Sequence, residues 1–143
     1  MNEEILEIFD SSLARCNQTP RFLDRFYDRL LEKSPKVREK FKHTDFDRQK
    51  RALRASFQLM LLAAGDGADG PKRHLHELAV SHSRNHLDIG AEYYDYWLDS
   101  LLAVMREFDD EWSHEVEDAW EQVMGVGIKY LISHYYESSS ESD

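Results

Sequence analysis

Apolar residues recur along this chain at spacings of three and four, the period of helices buried on one side, and no run alternates as a half-buried strand would. Ile5, Ile8, Phe9 and Leu13 mark a first helix. In "TPRFLDRFYDRLLEK" (19–33), Thr19 is expected to cap and Pro20 to take the first helical position, where its missing N–H costs nothing. Its inward stripe is Phe22, Leu23, Phe26, Tyr27, Leu30 and Leu31. "SPKVREKF" (34–41) repeats the cap-then-proline start as a short helix. Thr44 is expected to cap a fourth helix that buries Phe46, Leu53, Phe57, Met60 and Leu61. "GDGADGP" (65–71) reads as a helix stop and loop. Beyond it Leu75, Leu78, Ala79 and His82 share one face. Two further stripes follow: Tyr94, Trp97, Leu98, Leu101 and Met105, then Val116, Trp120, Val123, Gly127 and Leu131. The pattern predicts one all-α domain over residues 1–136. The stretch 137–143, "ESSSESD", is acidic, serine-rich and expected to be disordered.

Composition narrows the functions. At 143 residues the chain holds one core and room for one cofactor. A net charge of −10 disfavours nucleic acid and anionic lipid, since neither would yield counterion release on binding. Cys16 is the only cysteine, so no internal disulfide forms, which fits a reducing compartment. The N-terminus lacks a basic leader, and "LMLLAAG" is far shorter than the roughly 18–20 apolar residues a membrane span needs. The expectation is a cytoplasmic protein with no membrane partner.

The candidate chemistry lies in histidines. His74, His76, His82 and His86 fall within thirteen residues, out of seven histidines in all. His82 and His86, four apart, have the spacing of a zinc pair, but Ser83 stands where a metalloprotease carries glutamate. "GDGADG" hints at a calcium loop, yet Ala68 and Gly70 occupy two ligand positions, so a plain connection fits better. His82 continues the apolar face of Leu75, Leu78 and Ala79. Its own residues leave two readings open: a satisfied core histidine, or an axial ligand to haem iron with Ser81 as partner for its second ring nitrogen.

"LAVSH" (78–82), followed by a second histidine, a short loop and a tyrosine-bearing helix, resembles the proximal region of globins. "FYDRLLEKSPKVREKF" (26–41) is similar to the B–C region of bacterial single-domain globins and flavohaemoglobins, and "QKRAL" (49–53) to the distal part of their helix E. The resemblance covers about residues 5–135. It implies a globin fold, a three-over-three helical sandwich with helix D missing or very short. It implies haem b as cofactor, with His82 as the iron ligand. Tyr27, Gln49 and, if helix E shifts by one, Lys50 would face the gas ligand. Phe41, Leu53, Leu78, His86, Ile89, Tyr94 and Leu98 would contact haem, with His86 at its edge or a propionate. His74 and His76 would be exposed. Flavohaemoglobins pair a helix G tyrosine with a helix H glutamate behind the proximal histidine; Tyr94 matches the first, but Tyr135 stands at the second. The implied partner is a diatomic gas (dioxygen, nitric oxide or carbon monoxide). A carrier, an enzyme oxidising nitric oxide with a separate reductase, and a gas sensor acting through a partner remain open. So does a homodimer through Trp97, Trp112 or the terminal helices.

Overall fold

The computed structural model describes residues 2–65, 69–83 and 88–135, with no side chains described at 69–74. Seven helices follow in order, and no strand occurs among the described residues: α1 Glu3–Cys16, α2 Arg21–Glu32, α3 Pro35–Lys40, α4 Phe46–Ala64, α5 Asp69–His82, α6 Ala91–Phe108 and α7 His114–Ser133. Helix α1 packs on α7, α2 on α6, and α4 and α5 both on α7. Only residues 41–45 separate α3 from α4, so no helix forms between them.

Local signals account for most boundaries. The Thr19 hydroxyl accepts from the Arg21 amide at 3.2 Å, and Pro20 is already helical at φ −66°. Ser34 caps α3 by accepting from the Lys36 amide at 3.1 Å. The expected cap at Thr44 is corrected. Asp45 starts α4 instead, its carboxylate accepting from the Asp47 and Arg48 amides at 3.1 and 3.3 Å. A carboxylate also complements the positive helix end, which a hydroxyl does less well. The loop expected at 65–71 is shorter at its far end, because α5 already begins at Asp69; residues 66–68 lie outside the described set, as does the tail 136–143.

The predicted stripes pack into or against the core, and an aromatic spine joins those of α1, α2, α4 and α7. Trp120 of α7 meets Phe9 at 4.8 Å, Phe22 at 6.3 Å and Phe57 at 6.2 Å between ring centres. The Trp120 indole donates to the Ser12 hydroxyl (2.8 Å), which donates to the Asp109 carboxylate (2.6 Å). Arg15 grips the same carboxylate at 2.5 and 3.0 Å. This network ties α1 to the α6–α7 corner. Burial alone would raise the Asp109 pKa; the bonds from Arg15, Ser12 and the Glu111 amide outweigh it and hold it below the ordinary value.

Candidate functional site

A cavity of about 510 Å³ opens between α2–α3, α4, α5 and α6, with the end of α7 as its floor. That size suits a single organic cofactor, for which pockets run roughly 300–1,000 Å³. Its walls are largely apolar. Phe41, Leu53, Met60, Leu78, Ile89 and Ile128 all contribute to them.

His82 lines the cavity at the last turn of α5. Its Nδ1 lies 2.8 Å from the Leu78 carbonyl and 3.1 Å from the Ser81 hydroxyl, which itself donates to that carbonyl at 3.0 Å. A carbonyl only accepts, so Nδ1 carries the hydrogen and Nε2 keeps its lone pair. Burial pushes the His82 pKa down, and the bond to Leu78 offsets this only in part, so the ring is neutral near pH 7. A neutral imidazole fixed through Nδ1 is the form that binds a metal through Nε2.

Two donors line the same cavity. Tyr27 of α2 is buried, with Phe26, Phe41 and Phe46 edge-on to its ring at 4.9, 5.9 and 5.3 Å. Desolvation pushes its hydroxyl up to about 12, although a hydrogen bond with Gln49 works the other way. Tyr27 is therefore a phenol at physiological pH and keeps a proton to donate. Gln49, in the first turn of α4, also lines the cavity.

The other sequence candidates divide. Phe41, Leu53, Leu78, Ile89 and Tyr94 line the cavity together with Tyr27, Gln49 and His82. Leu98 does not line it; it packs against the main core. Lys50 does not line it either, and is paired with Asp24. His86 lies outside the described residues, as does the side chain of His74. His76 is half-buried rather than exposed, its Nδ1 3.4 Å from the Tyr130 hydroxyl. Tyr135 bonds Asp88, not Tyr94. Asp88 has φ +56°, a left-handed turn that aspartate tolerates, and its amide and that of Ile89 bond back to Ser83 and His82. Trp97, one candidate for a surface between copies, faces inward: it lines the cavity and meets Phe26 at 6.0 Å.

Some lining residues were missed by sequence reasoning: Lys40, Thr44, Ser56, Met60, Tyr93 and Ile128. Ser56 and Met60 follow Leu53 at helical spacing, so the α4 stripe held the signal. Nothing in the sequence marked Tyr93, whose ring lies 5.5 Å from the Lys40 ammonium at the cavity wall.

No cluster of three or more His, Cys, Asp or Glu side chains fit to hold a metal ion exists among the described residues. One imidazole cannot retain a bare ion. It suffices when the ion arrives with its own ring of ligands, as haem iron does. The Tyr94 hydroxyl is buried on the cavity wall beside His82, with no hydrogen-bond partner among the described residues. These features fit a flat, mostly apolar group whose metal needs one protein ligand.

Comparison with known proteins agrees. The sequence pattern of the globin family matches residues 24–131, and the chain belongs to that family. It is similar to protein PA3967 of Pseudomonas aeruginosa PAO1, whose crystal structure is described as structurally highly homologous to a human hemoglobin. The two are 40% identical with a TM-score of 0.86, over 92% of this chain and 98% of the other. No curated protein matches the chain. Family membership carries haem binding as its general property and agrees with the fold and the cavity. No helix among the described residues is long and apolar enough to cross a membrane.

Proposed function

We propose that this globin holds haem b through His82 and binds a diatomic gas, dioxygen foremost, reversibly within the cavity. The observation that carries the reading is the pairing of His82, fixed through Nδ1, with the Tyr27–Gln49 donor pair in one apolar cavity. Haem, once bound, supplies an iron able to coordinate a small gas. Phe41, Leu53, Leu78 and Ile89 exclude water and hold the macrocycle by apolar contact, and His86 is assigned to its edge from the sequence resemblance alone. A Gln49 amide that donates to the Tyr27 oxygen polarises the phenol and leaves its hydrogen for the ligand. Lys50, engaged with Asp24, stands outside the cavity lining.

Binding is favoured over catalysis by what stands behind His82. Among the described residues its Nδ1 partners are a backbone carbonyl and a hydroxyl, not a carboxylate, and the nearby Tyr94 hydroxyl is not coupled to one. A carbonyl acceptor makes imidazole a weaker electron donor than a carboxylate does. This speaks for a carrier or a sensor rather than a peroxidase-like or nitric oxide dioxygenase enzyme with a reductase partner. A cytoplasmic setting belongs to the same reading.

Titration of the purified chain with haemin tests the proposal. A Soret band that shifts on reduction and on carbon monoxide addition is expected. His82→Ala should lower haem retention and His86→Ala should do much less. No Soret band after reconstitution, or equal losses in the two variants, defeats the assignment.

A further inference from the structure

The outward side of α4 is divided by charge. Its buried face is Leu53, Ser56, Phe57, Met60 and Ala64, so the opposite face carries Arg48, Arg51, Arg54, Ala55, Gln58 and Leu62. All six are exposed, and Leu62, at 54%, is the most exposed large apolar side chain described. Asp47 is the only acidic residue on α4. None of the three arginines forms an ion pair among the described residues.

Beside the C-terminal end of α4 lies the opposite charge. Glu3, Glu7 and Asp10 of α1 rim a shallow groove whose apolar floor is Leu6, Leu61 and Leu62. These carboxylates also make no ion pair among the described residues. That face is thus basic from Arg48 to Arg54, uncharged at Ala55 and Gln58, and acidic at its other end, with an apolar side chain open beside the acidic end.

From this division we propose that the α1–α4 face binds a second copy of this chain about a two-fold axis near Ala55 and Gln58. Such an axis makes a surface meet itself, so residue i meets j and j meets i. Antiparallel crossing of the two α4 helices sets Leu62 opposite the partner's Arg51, and the acidic groove opposite the partner's Arg48. Arg51 to Leu62 spans eleven residues, roughly 16 Å along the axis at 1.5 Å per residue, so the two charged zones are separate and both are met at once. Ala55 at the centre permits close approach. The aliphatic stem of the partner's Arg51 covers Leu62 while its guanidinium reaches the carboxylates. A parallel arrangement would set arginine on arginine, so the charge pattern fixes direction as well as location. The chain's net charge of −10 opposes any pairing of copies, so only a face whose own charges complement one another can offset it.

Sedimentation velocity on the full chain tests this and does not depend on haem. A dimer is expected near 0.01 M salt, where charges act over about 30 Å, and a monomer near 1 M, where they act over about 3 Å. The variant Arg48→Glu/Arg51→Glu and the variant Glu7→Lys/Asp10→Lys should each be monomeric at low salt. All four positions are exposed and unpaired, and circular dichroism checks the fold. The single changes Arg51→Glu and Glu7→Lys serve as milder versions. Mixing the two double variants should restore a dimer, because every reversed contact then meets its opposite. A wild-type chain that is monomeric at low salt, a dimer that survives either reversal, or a mixture that stays monomeric would each overturn the proposal.

Discussion

Tyr27→Phe removes one oxygen and leaves a ring held by Phe26, Phe41 and Phe46 at 4.9, 5.9 and 5.3 Å. The site is 4% exposed, so the phenylalanine keeps the same packing. The structural cost is the bond to Gln49, about 1 kcal/mol. The functional cost is larger. Haem, once held by His82, would lend partial negative charge to a bound dioxygen, to which Tyr27 would donate, and a hydrogen bond to a charged acceptor is worth about 1.5–3 kcal/mol. At 1.4 kcal/mol per tenfold, dioxygen should leave roughly ten to a hundred times faster. Carbon monoxide accepts hydrogen bonds poorly and should change little. Gln49→Leu acts through Tyr27, so its effect should be smaller, and the double variant should match Tyr27→Phe alone. Stopped-flow dissociation rates of both gases decide. An unchanged dioxygen rate in Tyr27→Phe refutes the reasoning. A larger effect in Gln49→Leu would make the glutamine the principal donor.

Other expectations follow from the same contacts. Asp109→Asn should cost about 1.5–3 kcal/mol in chemical denaturation at pH 7, since it removes the charge held by Arg15 and Ser12. The Asp109 pKa is depressed in the fold, so its contribution is complete above the unfolded value of about 4 and is lost as pH falls through the lower folded value. The gap between wild type and variant should therefore be flat above about pH 5 and narrow below about pH 4, and a constant gap down to pH 2 would contradict this. Tyr94→Phe deletes a buried hydroxyl with no partner among the described residues, so the haem-free protein should melt higher, by about 1–3 kcal/mol of stability; a lower melting temperature would mean the hydroxyl is satisfied. Ser81→Ala should leave haem affinity nearly unchanged, because the Leu78 carbonyl alone still orients the His82 ring, and a tenfold loss by haemin titration would show that the hydroxyl shares the role.

The helices were legible because each carries its own buried stripe, and burial follows the apolar period closely from Phe22 to Leu30 and from Val116 to Leu131. Tyr27, Phe41 and His82 were legible only through resemblance, since a tyrosine on an apolar stripe and a histidine on another look like ordinary core. The helix E register was open in the sequence because Gln49 and Lys50 differ by one position, about 100° of helix. In the fold Lys50 reaches Asp24 of α2, a contact no local pattern announces. The Nδ1 partner of His82 was only half legible. Ser81 has a side chain to be read, whereas the Leu78 carbonyl is backbone and carries no residue signature. The Ser12–Asp109 bond joins residues 97 apart, and such closures appear only once the helices are packed.

The cavity and the polar network belong together energetically. An apolar void costs about 24 cal/mol per Å³, so a sealed void of 510 Å³ would cost on the order of 10 kcal/mol, comparable to the whole stability of a small domain. Access of water to the slot lowers that figure. The opposite end is the reverse: Phe9, Phe22, Phe57 and Trp120 pack edge to face, and the Ser12, Arg15 and Asp109 bonds lock α1 to the corner before α7. Leu53, Met60 and Leu131 line the slot away from that end. A group that fills the slot then adds its binding energy to folding. Haem should accordingly stabilise this chain through apolar contact as well as through His82, which is why His82→Ala is expected to weaken retention without abolishing it.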